Sequence, residues 1–387
     1  MSESRLRVLG GLSPRQFLDR HWQKEPLVVR GAFAGFKDPF TPDELAGLAC
    51  EPGVDSRLVL QKGGRRPWQV TRGPQKSSAL RKLPRTHWTL LVESMDRHST
   101  EVAALASAFP FLPRWRMDDV MISLAPEHGT VDAHTDSYDV FLIQGPGRRR
   151  WEVDRGSVPE NRPGLDLRIL KRFEAQDSWI LEPGDMLYVP PGVGHRGVTV
   201  PGDADIALTY SVGFRSPSSA DLLSSLLGHT LKAEPTLFGD AGRQPVADRG
   251  EISPADLAAL RRFLTEEISR EDSDAWPLAA GEAATSGGSC RPPRRAWTAA
   301  NVATALRAGA VFSVIPAARL SWARLARGRA AIFVNGESRV LARDLGFAAP
   351  LLCGQPSASS TRRLLQNPPA IALALQLLRA GVIDLGR

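Results

Sequence analysis

The sequence predicts a mainly β protein whose core is an antiparallel sandwich or barrel of the jelly-roll or cupin kind (a double-stranded β-helix), with α-helical additions. Three observations predict this fold class. Between Asp118 and Phe214, short apolar runs alternate with Gly/Pro turns, and no helical periodicity intervenes. On both sides of this block the apolar residues repeat at helical spacing. The length of 387 residues suits two or three domains.

The first hundred residues are predicted to form helices and short strands around the β block. Ser13-Pro14 and Thr41-Pro42 are typical helix starts, because the hydroxyl caps free N–H groups and proline fits the first helical turn. Ser216-Pro217 and Ser253-Pro254 repeat this signal later in the chain. We expect residues 1–216 to form one domain that combines these helices with the β block.

Six apolar runs within the block predict strands, and turns rich in glycine and proline separate them. The runs are 120–124, 138–143, 149–153, 178–181, 186–189 and 206–212. Many short strands without intervening helices are typical of an antiparallel sandwich or barrel.

The helical pattern returns after Ser216. Leucines at helical spacing within 222–227 and 257–268 predict a helical segment over residues 217–278. The stretch 279–296 is rich in Gly, Ala and Ser and is predicted to be a linker. Residues 297–387 are predicted to form a small C-terminal α/β domain, with a hairpin turn at Asn335-Gly336.

Composition and charge exclude several classes of protein. With 42% hydrophobic and 24% charged residues, the chain is neither collagen-like, nor disordered, nor a disulfide scaffold. It lacks a run of 18 apolar residues and a secretory signal, so no membrane association is expected. Three cysteines without a CxxC pair fit a reducing cytoplasm. The net charge of +7 is compatible with an anionic partner such as RNA or a ribosome, and equally with an Arg-rich composition without functional meaning.

A candidate metal site lies in the β block. His134 and Asp136 are two residues apart, so in a strand both side chains would face the same side. His195 follows a predicted strand and a rigid turn and would supply the third ligand. Two histidines and one carboxylate leave three coordination positions open, as in non-haem Fe(II) oxygenases. His128 is a competing ligand, but its loop-like surroundings favour a solvent or lid residue.

The run of three arginines at 148–150 contains a candidate anchor for an anion. Because Trp151 and Val153 are apolar and Glu152 is charged, strand alternation places Arg149 on the inner face. A buried arginine needs an anion, which is either a bound carboxylate or an internal Asp or Glu. The same alternation places Tyr138 on the face of the candidate metal ligands, where it either lines a site or packs in the core.

Several ordered motifs carry a resemblance to a known family. They are FLDRHWQK at 17–24, PDELAGL at 42–48, VDSRL at 54–58, DDVMIS at 118–123, YDVFLIQ at 138–144, GRRRW at 147–151, LEPGD at 181–185 and YSVGFR at 210–215. With these motifs the chain resembles the JmjC-type bacterial ribosomal oxygenases, and specifically the branch that hydroxylates an arginine of a large-subunit ribosomal protein. The resemblance covers residues 13–235 by motif and the C-terminal third by architecture only.

The resemblance implies a 2-oxoglutarate-dependent dioxygenase that uses Fe(II) and hydroxylates the β-carbon of an arginine in ribosomal protein sixteen of the 50S subunit. It implies that the metal ligands are His134, Asp136 and His195. It implies that 2-oxoglutarate is held by Arg149, with Ser123 in support and Thr209 where the family often has an asparagine. The substrate arginine would be held by Tyr138, Asp119 and Ser211, with Asp118 competing with Asp119.

The resemblance also implies the roles of the remaining segments. Residues 217–278 would mediate homodimerisation, and 297–387 would form a winged-helix-like domain. The segment before the first ligand is rich in glycine in the family, whereas here residues 126–132 are bulkier and charged.

Three alternatives stay open: a histidine hydroxylase of another ribosomal protein, as in the sister branch; a metal-binding cupin that hydroxylates nothing; and a cupin-type sensor or regulator that binds nucleic acid through its C-terminal domain.

Overall fold

The computed structural model describes residues 6–63, 67–156, 158–230, 236–239, 241, 252–269 and 274–386. The chain divides into two compact units, Met1–Ser216 and Pro217–Arg387. The first unit ends at the residue where the sequence predicts the first domain to end. Residues 231–235, 240, 242–251 and 270–273 of the predicted segment 217–278 lie outside the described residues.

The first unit contains four α-helices and eleven strands within its described residues. The helices are α1 (Pro14–Arg20), α2 (Pro42–Leu48), α3 (Ser77–Leu80) and α4 (Thr100–Ala106). The strands are β1 (Leu27–Val29), β2 (Ser56–Gln61), β3 (Trp68–Arg72), β4 (Trp88–Val92), β5 (Met117–Pro126), β6 (Asp139–Gln144), β7 (Arg148–Asp154), β8 (Asp177–Leu181), β9 (Met186–Val189), β10 (Gly194–Val200) and β11 (Ile206–Phe214). Ser13 and Thr41 each complete a capping box, which confirms the two predicted helix starts.

Two antiparallel sheets form the core of this unit. The larger has the order β1-β9-β6-β11-β5-β4-β2-β3 and the smaller the order β10-β7-β8. All six predicted strands are present, and the mainly β fold class is confirmed. The strand that carries His195, β10, was not among the predicted runs, because its glycines and polar residues interrupt the apolar pattern.

Alternating side chains give the larger sheet two different faces. Even-numbered β5 residues such as Ile122 belong to the core that the N-terminal helices cover. On β6, Phe141 joins that core, whereas Val140 packs with Trp151 of the smaller sheet in a second cluster. The space between the sheets is therefore lined by Val140 and the residues that share its side, and the candidate site residues open into it.

The second unit is mainly helical before residue 310 and mixed after it. Its helices are α5 (Ser219–Thr230), α6 (Pro254–Ile268), α7 (Ala275–Thr285), α8 (Ala299–Arg307), α9 (Ala348–Leu352), α10 (Ala358–Leu365) and α11 (Pro368–Arg379). Its strands are β12 (Val311–Val314), β13 (Leu320–Arg324), β14 (Ala330–Val334), β15 (Glu337–Leu341) and β16 (Ile383–Gly386). β12 pairs with β16, and β13, β14 and β15 form a second small sheet.

Two predictions for this unit need correction. The predicted linker 279–296 begins inside α7. Residues 279–285 form a helix rather than a loop, because Ala279 and Ala283 are buried and stabilise it by packing. Helix α5 begins at Ser219 rather than at Pro217, since the hydroxyl of Ser218 caps the backbone N–H of Asp221.

The hairpin prediction is confirmed. Asn335 and Gly336 join β14 to β15 with φ angles of +52° and +91°, the left-handed values that a two-residue hairpin turn requires. The winged-helix-like assignment of residues 297–387 stays a prediction.

Among the described residues, none of the helices combines the length and apolar character needed to cross a membrane.

Candidate active site

His134, Asp136 and His195 lie together between the two sheets. One ligand atom from each lies within 4.8 Å of the others. The Nε2 atom of His195 is 3.5 Å from Oδ2 of Asp136, and the two imidazole centroids are 4.3 Å apart. His195 is only 2% exposed, whereas the other two are partly exposed. The three side chains can therefore bind one metal ion from one side and leave its other side open.

The backbone brings these residues together in a way that the sequence did not predict. His134 and Asp136 lie before β6 rather than in a strand, so strand alternation does not orient them. Instead, His134 and His195 form an isolated β-bridge, with N–H···O distances of 3.1 and 2.9 Å. The N–H of Gly192 donates to the carbonyl of Asp136 at 2.8 Å. The start of β10 thus holds the His134 end of this segment, and the turn before β10 holds the Asp136 end.

Each histidine has its ring oriented by a backbone carbonyl. Nδ1 of His134 lies 3.0 Å from the carbonyl of Asp132, and Nδ1 of His195 lies 3.1 Å from that of Val193. Since a carbonyl only accepts, Nδ1 carries the proton in both rings. The lone pair is then on Nε2, as in metal-bound histidines whose other nitrogen is held by a hydrogen bond.

The protonation of His195 also suits metal binding. Burial and, to a smaller extent, nearby His134 lower the pKa of the His195 imidazole to about 4, against the opposing effects of Asp136 and the Val193 carbonyl. At neutral pH the ring is therefore uncharged, which is the form that coordinates a metal.

His128 lies apart from this cluster. Its side chain is half exposed, its ring packs against His87 at 4.9 Å, and Nε2 is 3.4 Å from a carboxylate oxygen of Glu127. It does not belong to the group of potential ligands found among the described residues. Its interpretation as a solvent-facing residue agrees with this exposure, and a role in a lid stays a prediction.

Arg149 points into the space between the sheets, as strand alternation predicts. It is 3% exposed, whereas Arg148 and Arg150 are exposed. Its Nη1 donates to Ser123 Oγ at 2.8 Å and to Thr209 Oγ1 at 3.3 Å. The guanidinium also lies 5.3 Å from the ring centroid of Trp151.

The buried guanidinium of Arg149 has no carboxylate partner within ion-pair distance among the described residues, and its Nε has no hydrogen-bond partner there. Burial lowers its pKa to about 10, so it is still a cation at neutral pH. The internal Asp or Glu considered from the sequence is therefore absent from the described residues. A buried cation with unused donors is suited to an anionic ligand.

Gln144 belongs to the same network, and sequence reasoning missed it. The hydroxyl of Thr209 donates to Oε1 of Gln144 at 3.3 Å, and Nε2 of Gln144 donates to the carbonyl of Leu208 at 3.0 Å. Gln144 is fully buried at the end of β6. Strand alternation from Val140 could have found it, because a glutamine in register with inward apolar residues requires a buried polar partner.

A second group of side chains forms an acidic environment near the cluster. Burial and the carboxylates of Asp136, Asp119 and Asp118 all raise the pKa of the Tyr138 phenol. Burial raises the pKa of Asp119 to about 6, although its carboxylate accepts a hydrogen bond from the backbone N–H of Ser94 at 2.8 Å. The structure thus brings Tyr138 and three carboxylates into one electrostatic environment.

Asp118 and Ser211 occupy different positions around this environment. Asp118 is 3.8 Å from Nε of Arg215, so its charge is partly compensated. Ser211 is buried in β11, opposite Leu142 of β6 and Met121 of β5. Ser211 lies two residues from Thr209 on the same strand, so both face the space between the sheets.

Comparison with known proteins identifies the relatives of this chain. The family model for the JmjC domain matches residues 104–222. The chain is 42% identical over 259 residues to the ribosomal protein uL16 3-hydroxylase of Escherichia coli. The aligned region covers 66% of this chain and 67% of that protein. It is 32% identical over 271 residues to a probable ribosomal oxygenase of Haemophilus influenzae, over 68% and 66% of the two chains.

Solved structures extend the similarity to nearly the whole chain. The ribosomal oxygenase YcfD of Escherichia coli, solved in complex with cobalt and 2-oxoglutarate, is 34% identical with a TM-score of 0.79. That match covers 96% of this chain and 97% of YcfD. Another YcfD structure matches with a TM-score of 0.81 over the same shares. With the JmjC match and the shared fold, the chain belongs to the JmjC-domain family of ribosomal oxygenases.

Proposed function

We propose that this protein is an Fe(II)- and 2-oxoglutarate-dependent hydroxylase of the β-carbon of an arginine in the large-subunit ribosomal protein uL16. One observation carries the proposal: a His-Asp-His cluster and a buried, unpaired arginine open into the same space. Trp151 connects them, since its ring is 6.0 Å from that of His195 and 5.3 Å from the guanidinium carbon of Arg149. The name of the Escherichia coli relative supports the ribosomal substrate.

The donor set fits Fe(II). His134 and His195 would each offer Nε2, and Asp136 would offer one carboxylate oxygen, which is the facial arrangement of non-haem iron oxygenases. When bound, Fe(II) with 2-oxoglutarate and O₂ supplies the oxidising power that converts a C–H bond into C–OH. The protein contributes the carbonyls that hold both rings and a turn that fixes the ligand-bearing segment.

Arg149 would bind the 5-carboxylate of 2-oxoglutarate. Its planar guanidinium can pair with both carboxylate oxygens, and its exclusion from solvent strengthens this pairing. Ser123 would hold the guanidinium in place through the 2.8 Å hydrogen bond and remain near the carboxylate. Thr209 lies between Arg149 and Gln144 and would position the arginine.

The acidic environment favours an arginine over a histidine as the substrate. A guanidinium is a permanent cation that needs carboxylates, whereas a neutral imidazole does not. Asp119 would pair with the substrate guanidinium, and Tyr138 and Ser211 would line its path, with Asp118 as the competing carboxylate. Holding the head group fixes the adjacent methylene groups, and this positioning selects the carbon that reacts.

We also propose that the protein is a homodimer that works in the cytoplasm, where ribosomal proteins are made. Helices α5 and α6 support the dimer, because several of their leucines are exposed in the part of the chain that the structure describes. These leucines are Leu223, Leu227, Leu257, Leu260 and Leu264.

Replacing the metal ligands tests the proposed reaction. His134→Ala and Asp136→Ala should each abolish 2-oxoglutarate turnover and leave thermal unfolding nearly unchanged, because both side chains are partly exposed and lie outside strands. The measurement is succinate formation with purified uL16, together with intact-mass spectra of uL16 for the gain of one oxygen atom.

The matched control is His128→Ala, which removes a nearby histidine outside the cluster and should retain turnover. Near-native turnover in either ligand variant would refute the metal assignment. Fragment spectra that place the oxygen on a histidine would refute the arginine assignment.

A further inference from the structure

The positive charge of this protein is concentrated at its C-terminal end. Residues 291–387 contain fourteen arginines, no lysine and only three acidic residues, a net charge of +11. Because the whole chain has a net charge of +7, residues 1–290 carry −4. Within residues 1–290, the catalytic unit 1–216 carries +2 and residues 217–290 carry −6. A polyanionic partner would therefore be attracted more strongly to residues 291–387 than to the catalytic unit.

Five exposed arginines of this segment form what we call the arginine patch: Arg324, Arg327, Arg343, Arg362 and Arg363. Strand register brings the first three together. Arg324 pairs with Ala330, and Ala330 pairs with Leu341, so Arg324 and Arg343 lie at the same end of the β13-β14-β15 sheet. Arg327 lies in the turn that joins β13 to β14 at that end.

Side-chain contacts join the rest of the patch. A Cβ atom placed on Gly328 would lie 3.5 Å from Nε of Arg343, so the Arg343 side chain lies over the turn that holds Arg327. Arg363 donates to the carbonyl of Asp344 at 3.3 Å, and its guanidinium lies 4.1 Å from the ring centroid of Phe347. Arg362 is its neighbour in α10.

The patch is not neutralised by the protein. In the part of the chain that the structure describes, no carboxylate lies within ion-pair distance of these five side chains. Nearby Arg329 differs, since it pairs with Asp274. In the first unit, arginines such as Arg57 and Arg116 pair with carboxylates. Like charges gathered without partners destabilise a fold, so an external anion is the natural counterpart.

We propose that the arginine patch binds the sugar-phosphate backbone of single-stranded or loop RNA. Guanidinium groups pair bidentately with phosphate and offer planar faces on which unpaired bases stack. Duplex DNA is a poorer fit, because α11, the last helix of this segment, exposes Pro368, Pro369, Ala372, Gln376 and Arg379 and so offers only two polar side chains for reading base edges. RNA binding at the arginine patch would not depend on the proposed hydroxylation.

Fluorescence anisotropy with the full-length protein and a labelled oligouridine of about twenty nucleotides tests this proposal. Five phosphate contacts on a single strand predict that raising KCl from about 50 to about 200 mM weakens binding by about 100-fold. The double variant Arg327→Glu/Arg343→Glu should bind at least about tenfold more weakly. Arg15→Glu/Arg20→Glu in α1 is the matched control, since it changes the net charge equally at exposed positions and should bind as the wild type does.

Several outcomes would overturn the proposal. They are no RNA binding at low salt, equal loss in the α1 control, duplex DNA bound as tightly as RNA, or displacement of RNA by polyglutamate at equal charge concentration. If the double variant unfolds, Arg327→Gln/Arg343→Gln replaces it, and unchanged RNA binding by that variant would also overturn the proposal. Turnover of a short uL16 peptide, measured without RNA, reports the proposed hydroxylation separately.

Discussion

At the scale of single residues, Arg149 is buried and has no carboxylate partner among the residues that the structure describes, and this combination predicts the effect of replacing its side chain. Arg149→Met should raise the KM for 2-oxoglutarate at least about 30-fold, because losing a buried charged contact costs about 2–5 kcal/mol. Thermal stability should be unchanged or higher, since the ligand-free protein loses an unpaired buried charge. Steady-state kinetics and a thermal melt measure both effects.

Arg150→Met is the matched control for this prediction. Arg150 is the next residue on β7, but it faces outward and is exposed, so its replacement should leave the KM for 2-oxoglutarate unchanged. Arg149→Lys should restore only part of the affinity, because an ammonium keeps the charge but not the paired donors. A KM that does not respond to Arg149→Met would reject Arg149 as the carboxylate anchor.

Asp119 gives the site a predicted pH dependence. Burial raises its pKa to about 6, so below that pH the carboxyl is protonated and no longer attracts a guanidinium. The Kd of an arginine-containing uL16 peptide should therefore be about tenfold weaker at about pH 5 than at about pH 7. His195 should not contribute over this range, because its pKa is lowered to about 4. Peptide anisotropy across the pH series measures the effect.

Two asparagine variants decide which carboxylate is responsible. Asp119→Asn should abolish the pH dependence and weaken binding at neutral pH. Asp118→Asn should keep the pH dependence, since Asp118 already lies near Arg215. The opposite pattern would transfer the role to Asp118.

Residue-level inference from the sequence worked where a strand has one buried and one exposed face. The alternation in β7 singled out Arg149 correctly, because Trp151 and Val153 are buried beside it while Arg148 and Arg150 are exposed. The role of Thr209 could not be predicted in the same way. It depends on Gln144, whose position opposite Thr209 follows from the pairing of β6 with β11 and is not visible in either strand alone.

At the scale of elements, α7 shows how packing can override local composition. Its Ala- and Gly-rich sequence is typical of a linker, yet Ala279 and Ala283 are buried and α7 contacts β13, β14 and β15. A Cβ atom placed on Gly281 would lie 2.3 Å from the ring of Phe333, so the absence of a side chain permits this close approach. The sequence could not show this, because the partner strand lies some fifty residues further along.

Gly281→Ala should destabilise the protein even though alanine favours helix. The gain in helix propensity is about 1 kcal/mol. Overpacking against the buried Phe333 ring costs about 1–3 kcal/mol, and here the contact is far inside van der Waals distance, so the cost should prevail. Urea unfolding, followed by circular dichroism, measures the free energy of unfolding.

Gly228→Ala in α5 is the matched control, since Gly228 is exposed and a Cβ atom there would meet nothing within 4 Å. This variant should be neutral or more stable by up to about 1 kcal/mol. Equal stabilisation by both substitutions would contradict the packing of α7 against Phe333.

The segments that carry the candidate metal ligands also differ from the expectation that a strand places His134 and Asp136 on one side. Sequence spacing predicted that His134, Asp136 and His195 lie together, and the structure brings them together. The assumed cause, alternation of side chains along a strand, does not apply to His134 and Asp136. A backbone bridge to His195, rather than a strand, orients the first two residues. Such a bridge joins segments about sixty residues apart, so its hydrogen bonds could not be predicted from local periodicity.

At the scale of the whole molecule, the division at Ser216 separates two kinds of surface. All ten site residues predicted from the sequence lie in the first unit, whereas the exposed leucines of α5 and α6 and the arginine patch lie in the second. The overall charge of +7 concealed the concentration of positive charge within the second unit, because residues 1–216 carry +2, residues 217–290 carry −6 and residues 291–387 carry +11. Charge counted by segment was therefore more informative than the total.

The exposed helices predict that the protein forms a dimer through its second unit. Within the described residues, no residue of α6 is buried, although Leu257, Leu260 and Leu264 form one apolar face. A helix of 15 residues is marginal without packing, and each leucine gains about 1.5–3 kcal/mol when buried. Light scattering should therefore give twice the mass of one chain.

Leu257→Glu/Leu264→Glu should convert this dimer to a monomer, because both side chains are more than half exposed in the single chain and would carry unpaired charges into the interface. Val158→Glu is the control, since it introduces a carboxylate at an exposed apolar position of the first unit and should leave the mass unchanged. Turnover of a short uL16 peptide should survive in the monomer, because each chain contains the complete set of site residues. A wild-type protein with the mass of one chain, or a double variant that keeps twice that mass, would refute dimerisation through α6.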